Sequence, residues 1–438
     1  MSKSLTQFPM RSLSSAGVKL LDCDHRTPKP YNQGFPYIAI PDIKNGHIDL
    51  AKVRLISKED YHSWTRKTKP QTGDIILTRR GRVGDTATVT KGLECAIGQD
   101  LVILRSDEKQ LLQSFLRWAL RGPLYEREVQ KYLNVGAIFD SLNCGDIPKF
   151  EIPVPSIAEQ SAISDILDSL DSKIRLNQQI NKTLEAIGQA VFRRWFVDFE
   201  FPDGEGKPYR SSGGEMVYSQ EVDKEIPKRW TVAKLGSYID LGRGLSYKGA
   251  FLSEEGSPMI NLGTFAPNAG FIPEGIKHYT GDYKKNQLVK AGDIVIANTD
   301  ITQKREVLGS PAIVPPNLSS ENVIFTHHVY AVRRKMQIPN LFIYYLLQLK
   351  QYRDRVKGFA TGTTVLALPK DAILDFTFIM PDNQTLDAFE DIANKLMEKT
   401  NSLKMQNENL ARIRDLLLPK LMSGKIRVPV SNQNLEIE

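Results

Sequence analysis

Only three cysteines, Cys23, Cys95 and Cys144, occur in 438 residues, and none stands in a CxxC or Cys/His spacing. That excludes a disulfide framework and a cysteine-based zinc site, and it fits a reducing, cytoplasmic compartment. Long apolar runs are missing as well. The longest, around residues 341–347, is far short of the ~20 residues of a membrane span, and the opening MSKSLTQFPMRSLSSAGVKL lacks the continuous apolar core of a signal peptide. The expectation is a chain neither secreted nor embedded in a membrane.

Catalytic signatures are absent too. There is no GxxxxGK[ST] phosphate loop, HExxH, GxSxG or EF-hand pattern. VPPN at Val314 has the wrong order for the Asn-Pro-Pro-aromatic tetrapeptide of an amino-methyltransferase. PDGEGK at Pro202 superficially suggests a PD…ExK nuclease, yet it follows the helical run RRWFVDFEF and leads into Ser- and Gly-rich sequence, as a linker does. His327 and His328 are adjacent in a strand-like run, so their side chains are expected on opposite faces, where they cannot share a metal. No catalytic or metal-binding residue is assigned. So long a chain without such a constellation points to a binding or assembly subunit.

What is present is ordinary globular composition, 41% hydrophobic and 25% charged, enough for two or three domains at ~150 residues each. The net charge is +7. Residues 1–152 hold 23 basic and 17 acidic side chains and residues 201–380 hold 22 and 18, whereas residues 153–200 hold 5 and 7 and residues 381–438 hold 8 and 9. The positive excess lies wholly in two large blocks, as two nucleic-acid-facing domains joined by partner-facing segments would show.

The chain is a tandem duplication. GAIFDSLNCGDIPKFEIPVP from Gly136 aligns without gaps on GTTVLALPKDAILDFTFIMP from Gly362, an offset of 226, and RKTKPQTGDIILT matches KNQLVKAGDIVIA at an offset of 219. Each copy is a block followed by a long helix. Pro155, Ser156 and Glu159 form an S-x-x-E capping box that starts the first helix near Ile157. Ile163, Leu170 and Leu184 then recur in heptad register, as do Leu167 and Ile174, with Asn177 and Asn181 as a polar interruption. In the second helix Phe389, Leu396, Leu403, Leu410 and Leu417 recur every seven, and Asn407 matches Asn181. The two helices are expected to pack on each other along this seam. Within the blocks, residues 37–43, 74–78 and 87–89 read as strands and residues 111–120 and 341–348 as helices, giving mixed α and β. Residues 202–215 have linker or surface-loop composition.

The run PVPSIAEQSAISDILDSLDSKIRLNQQINKTLEAIGQAVFRRWFVDFEF, the linker PDGEGKPYRSSGGEMVYS with the following EIPKRW, the paired GDI segments and the closing LLLPKLMSGKI resemble the specificity subunit of Type I restriction-modification systems. One departure is local: the second block opens with Ile226, Pro227 and Trp230, which the first block does not match. The resemblance implies an α/β, mixed α+β chain of two tandem target recognition domains separated by two helices in an antiparallel coiled coil with pseudo-twofold duplication. The expected layout is a recognition domain at 1–155, a spacer helix at 156–200, a linker at 201–226, a second recognition domain at 227–381, a second spacer helix at 382–424 and a tail at 425–438. It further implies a non-catalytic subunit that reads bipartite double-stranded DNA and holds two methyltransferase subunits, with endonuclease/translocase subunits in the full complex. S-adenosylmethionine, ATP and Mg would belong to those partners, and none to this chain. Antiparallel equivalent helices would place the blocks at opposite ends, and a helix of about 40 residues, roughly 60 Å, would keep the half-sites within about 18 base pairs. Two other readings of the residues are a coiled-coil scaffold with basic nucleic-acid-binding domains outside restriction-modification and a diverged single-chain DNA-modifying enzyme.

The sharpest DNA-binding candidates are Arg79, Arg80 and Arg82 in TRRGRVGD, where glycines admit close approach and arginine can grip guanine or phosphate. The equivalent second-copy loop NTDITQKR offers Asn298, Thr302, Gln303, Lys304 and Arg305 instead, as reading a different half-site would require. Arg243, Lys248, Lys284 and Lys285 are further candidates.

Overall fold

The computed structural model describes residues 6–24, 26–136, 138–302, 304–318 and 322–429. The chain forms two compact units, one of residues 1–176 with 407–438 and one of residues 177–406. Each unit therefore holds one basic block, the first half of its own long helix and the last half of the other.

In the first unit, a four-stranded antiparallel sheet runs Val18–Asp22, Leu101–Ser106, Ile75–Thr78, Thr86–Thr88. Its central strands are apolar on both faces, with Ile75, Ile76, Leu77, Leu101, Val102, Ile103 and Leu104 all buried. A sheet covered on both sides has this pattern. Helices Gln113–Ala119 and Pro123–Lys131 cover one face through Phe115, Leu116, Trp118 and Tyr125. On the other, Ile38, Ile43, Val89 and Ile97 meet Ile76 and Ile103. The second unit repeats the plan: Ile239–Arg243, Val329–Arg334, Ile294–Ala297 and Pro311–Ile313 form the sheet, and helices Asn340–Leu346 and Lys350–Gly358 cover it. Each block also carries a second, mixed sheet, three-stranded in the first and five-stranded in the second. The start of each block pairs with its end, Met10–Ser12 with Glu151–Pro153 and Thr231–Lys234 with Thr377–Met380, and the same backbone link follows each pair. Leu13 N donates to Phe150 O at 2.9 Å, and Leu235 N donates to Phe376 O at 2.9 Å. Leu13 is thus the counterpart of Leu235, although the residues around it share no motif.

The first long helix, Ile157–Phe196, begins where its capping box predicts. Ser156 N reaches Glu159 Oε2 at 3.3 Å and Glu159 N reaches Ser156 Oγ at 3.4 Å. The second, Asn383–Met422, is capped by Asp382, whose Oδ1 accepts from Thr385 N at 2.8 Å. Within each unit the two helix halves run antiparallel. In the first, Arg414 Nη1 donates to Asp171 Oδ1 at 3.2 Å and Asn407 Nδ2 to Ile174 O at 3.2 Å. In the second, Asn177 Nδ2 donates to Gln406 Oε1 at 2.7 Å, and the Phe389 ring packs at 5.5, 6.1 and 5.1 Å from Phe192, Trp195 and Phe196.

The seam is broader than the heptad. Ile163, Leu167, Ile174, Asn177, Phe389 and Leu403 are buried as expected. Leu170, Asn181, Leu184, Leu396, Asn407, Leu410 and Leu417 are only half-buried, while Asp171 and Phe192 are buried beside them. The reason is that each helix covers its own block as well as its partner: Ile163 and Leu167 lie in the core with Phe115 and Trp118, and Phe389 lies with Phe342 and Phe376. Such double duty needs a stripe wider than two positions per heptad. The buried carboxylate is satisfied by four basic groups. Asp171 Oδ2 accepts from Arg117 Nη2 at 2.8 Å and lies 3.0 Å from His47 Nε2 and 3.8 Å from Arg175 Nε, opposite the Arg414 contact. Burial alone would raise the Asp171 pKa, and His47, followed by Arg117 and Arg121, outweighs it and holds the carboxyl well below the usual carboxylate range.

Residues 202–215 form a stitched surface loop. Asp203 Oδ1 accepts from the backbone of Glu205 and Lys207 at 2.9 Å each, and Phe201 stacks between Tyr209 and Trp230 at 4.5 and 4.8 Å.

Candidate nucleic-acid interface

The loop that leaves strand Ile75–Thr78 carries all three candidate arginines, and each does something different. Arg79 is 9% exposed. Its N–H donates to Asp100 O at 2.8 Å, its carbonyl accepts from Leu142 N at 2.9 Å, and its guanidinium donates to Leu142 O and Gln99 O at 3.4 Å each. It lies beneath the loop and clamps it. Arg82 is exposed but donates to Ile40 O and Ile43 O, tying the loop to the neighbouring chain, and pairs with Asp85 at 3.4 Å. Arg80 projects outward, 3.6 Å from Asp100 and 5.6 Å above the Phe139 ring. Of the three, Arg80 is the one whose guanidinium meets only side chains among the described residues.

The second copy uses the same clamp with another residue. Asn298 is buried, its N–H donates to His328 O at 3.0 Å, its carbonyl accepts from Leu368 N at 2.8 Å, and Nδ2 donates to His327 O at 3.0 Å. Arg79 and Asn298 are therefore equivalent positions facing inward, and neither presents its side chain on the surface. The longer second loop folds around a buried carboxylate: Asp300 accepts from the N–H groups of Thr302, Val307 and Leu308 at 2.6, 2.9 and 3.2 Å. That leaves Thr302 and Lys304 exposed, while Arg305 donates to Lys357 O at 2.7 Å; Gln303 lies outside the described residues.

Arg243 and Lys248 are exposed at and just beyond a strand end, and Lys284 and Lys285 are exposed in a short turn before strand Leu288–Val289. The structure brings Arg80 and Arg82 onto one turn and Thr302 and Lys304 onto its counterpart. The remaining candidates stand on other segments. His327 and His328 do not point apart. They sit in a turn after strand Val323–Phe325 with ring centroids 3.8 Å apart, because the strand ends before them, and His328 Nδ1 lies 3.0 Å from Thr299 Oγ1. Among the described residues, no group of three or more His, Cys, Asp or Glu is placed to hold a metal ion, and no helix is long and apolar enough to cross a membrane.

Sequence reasoning passed over one feature beside the arginine loop. Asn134 and Ser141 close a turn by reciprocal backbone bonds at 2.9 and 3.0 Å, in which Ala137 lies outside the described residues. Arg80 bridges to Ser141, and Val135, Ile138 and Phe139 of this turn are 82%, 90% and 50% exposed. The signal was in the duplication, since this is the GAIF that matches GTTV.

Residues 25–186 match the family model described as the Type I restriction modification DNA specificity domain. The chain is 28% identical over 367 residues, 81% of its length and 78% of the relative's, to the Type I restriction enzyme MjaIX specificity subunit of Methanocaldococcus jannaschii. It is 26% identical over 344 residues to the HindI specificity subunit of Haemophilus influenzae, covering 66% of this chain and 72% of that one. Its fold is similar to the crystal structure of the S subunit of a Type I system from M. genitalium, with a TM-score of 0.55, 17% identity and coverage of 96% and 98% of the two chains. Over most of its length the chain is thus similar to the specificity subunits of Type I restriction-modification systems, and its residues 25–186 match their DNA specificity domain.

Proposed function

We propose that this chain reads a bipartite DNA target, one half by each basic block, and holds two methyltransferase subunits, with endonuclease and translocase subunits completing the assembly in the cytoplasm. The recognition domains would be residues 1–155 and 227–381, joined by the two helices and the 201–226 segment. One observation carries this reading. The two blocks share a clamp, Arg79 in one and Asn298 in the other, yet the side chains exposed above it differ, Arg80 and Arg82 against Thr302 and Lys304. A common scaffold with different exposed groups suits two different half-sites. The excess of basic residues in both blocks supports phosphate contacts.

The test is to purify the chain with its methyltransferase partners, map the adenines they methylate, and then examine Arg80→Ala. Loss on the order of 1–3 kcal/mol at one half-site only is expected for a base contact. Wild-type affinity should fall steeply with salt, by about 0.9 in log–log slope per phosphate contacted. Equal loss at both half-sites, or an affinity flat in salt, would remove the proposal's basis.

A further inference from the structure

The exposed turn of residues 134–141 has a counterpart in the second copy. There, residues 361–367 are closed by reciprocal backbone bonds between Thr361 and Ala367 at 3.0 and 2.7 Å. Both turns depend on glycine. A Cβ on Gly136 would lie 2.4 Å from Phe139 O, and a Cβ on Gly362, whose φ is +104°, would lie 2.3 Å from Val365 O. The glycine folds the chain back against the carbonyl three residues on, and the residue carrying that carbonyl is left apolar and exposed: Phe139 at 50% and Val365 at 43%. Each turn is also joined to the candidate reading loop of its own block, by the Arg80–Ser141 bridge in one and by the pairing of Thr299 and Asp300 with Ala367 and Leu366 in the other. Ile138 in the first block and Ile301 in the second, 90% and 71% exposed, add to the apolar tip.

Apolar side chains so exposed on turns closed by backbone bonds mark a contact surface. Their neighbour says which kind. In the first block the Arg80 guanidinium lies over the Phe139 ring with 49% of its side chain exposed, so the tip presents an apolar face and a cation together. A nucleic-acid groove offers the complement, phosphate and guanine acceptors next to thymine methyls and base faces.

We propose that each glycine-locked turn is an apolar finger that enters a groove of duplex DNA beside the reading loop, with Ile138 and Phe139 packing on bases of one half-site and Val365 and Ile301 on the other. The finger rests on the reading of the blocks as DNA recognisers. It assigns residues that carry no charge to the interface, where charge counting does not find them.

The probe is a duplex carrying the mapped methylation target, titrated with the complex of this chain and its methyltransferase subunits at several salt concentrations. The double variant Ile138→Ser/Phe139→Ser should weaken target binding about tenfold. Its log–log salt slope should stay unchanged, because no phosphate contact is removed. Thermal unfolding and methyltransferase assembly should also be unchanged, since both side chains are exposed. Val365→Ser should weaken recognition of the other half-site alone. Wild-type affinity retained by the double variant, or loss of methyltransferase from its complex, overturns the finger, the second outcome making the turn a protein contact. Failure of the wild-type complex itself to bind the target would instead sink the DNA-recognition reading, and the finger with it.

Discussion

Asp171 shows how one residue can join three parts of a fold. It projects from the first long helix to Arg117 on a helix of the first block, to His47 on the hairpin Ile43–Lys44/His47–Ile48 and to Arg414 on the second long helix. With 3% of its side chain exposed, a carboxylate here is tolerable only because these groups, with Arg175 and the neighbouring Arg121, answer its charge. Asp171→Asn leaves several cations facing a neutral amide and is expected to destabilise the chain by about 3 kcal/mol, measured by denaturant unfolding. The pH dependence has a definite sign. The folded pKa lies below the unfolded value of ~3.9, so the stability from this group is present above that value and is lost as pH falls through the folded one. The gap between wild type and variant should therefore hold steady above about pH 4 and narrow progressively as the pH falls below it toward the folded pKa. A gap that stays constant over that range would show that Asp171 contributes packing and not charge. Heptad reading misses this residue because an acid beside an apolar seam looks like solvated surface. Likewise Arg79 sits in a Gly-rich loop that reads as exposed, and only the backbone partners of Asn298 in the other copy reveal it as a clamp.

Among the elements, the long helices were the most legible in the sequence, and for stated reasons: a capping box at Ser156 and Glu159, a proline before each start, and apolar recurrence over forty residues. Strand cores such as Ile75–Thr78 were legible because burial on both faces leaves an unbroken apolar run. The division of labour along a helix was hidden. Phe389 looks like one more seam position, yet it packs against Phe192, Trp195 and Phe196 of the other helix and, at 5.9 Å, against Tyr345 of the block. Phe389→Ala should therefore cost about 3–5 kcal/mol. A half-buried seam residue such as Leu410→Ala should cost visibly less, and equal losses in parallel unfolding measurements would mean that the two positions bear the same packing. The first block's opening was illegible for a different reason. The Leu13 and Leu235 links are made by the backbone, which imposes no sequence motif.

At the scale of the whole molecule, a bipartite target turns the helices into a quantity that can be measured. If each block takes one half-site, the unread gap between the halves depends on helix length, and adding matched turns should lengthen it. The register fixes where matched additions belong. Asp171 faces Arg414, Ile174 faces Asn407 and Asn177 faces Gln406, so numbers rise along one helix as they fall along the other. One heptad placed between Asn177 and Asn181 is therefore opposite one placed between Leu403 and Asn407. Seven residues at ~1.5 Å each add about 10 Å, near three base pairs. Methylation mapping of this variant should show a gap wider by about that amount with both half-site sequences unaltered. Heptads at the sequence-equivalent Leu184 and Leu410 do not face each other. They slide the Asp171–Arg414 and Phe192–Phe389 contacts out of register and should impair folding. Two-residue insertions at the matched sites should do the same, because they rotate the apolar stripe off the seam. A folded, active heptad variant that still methylates the original spacing would show that the helices do not set the gap, and the ruler would have to be sought within the blocks.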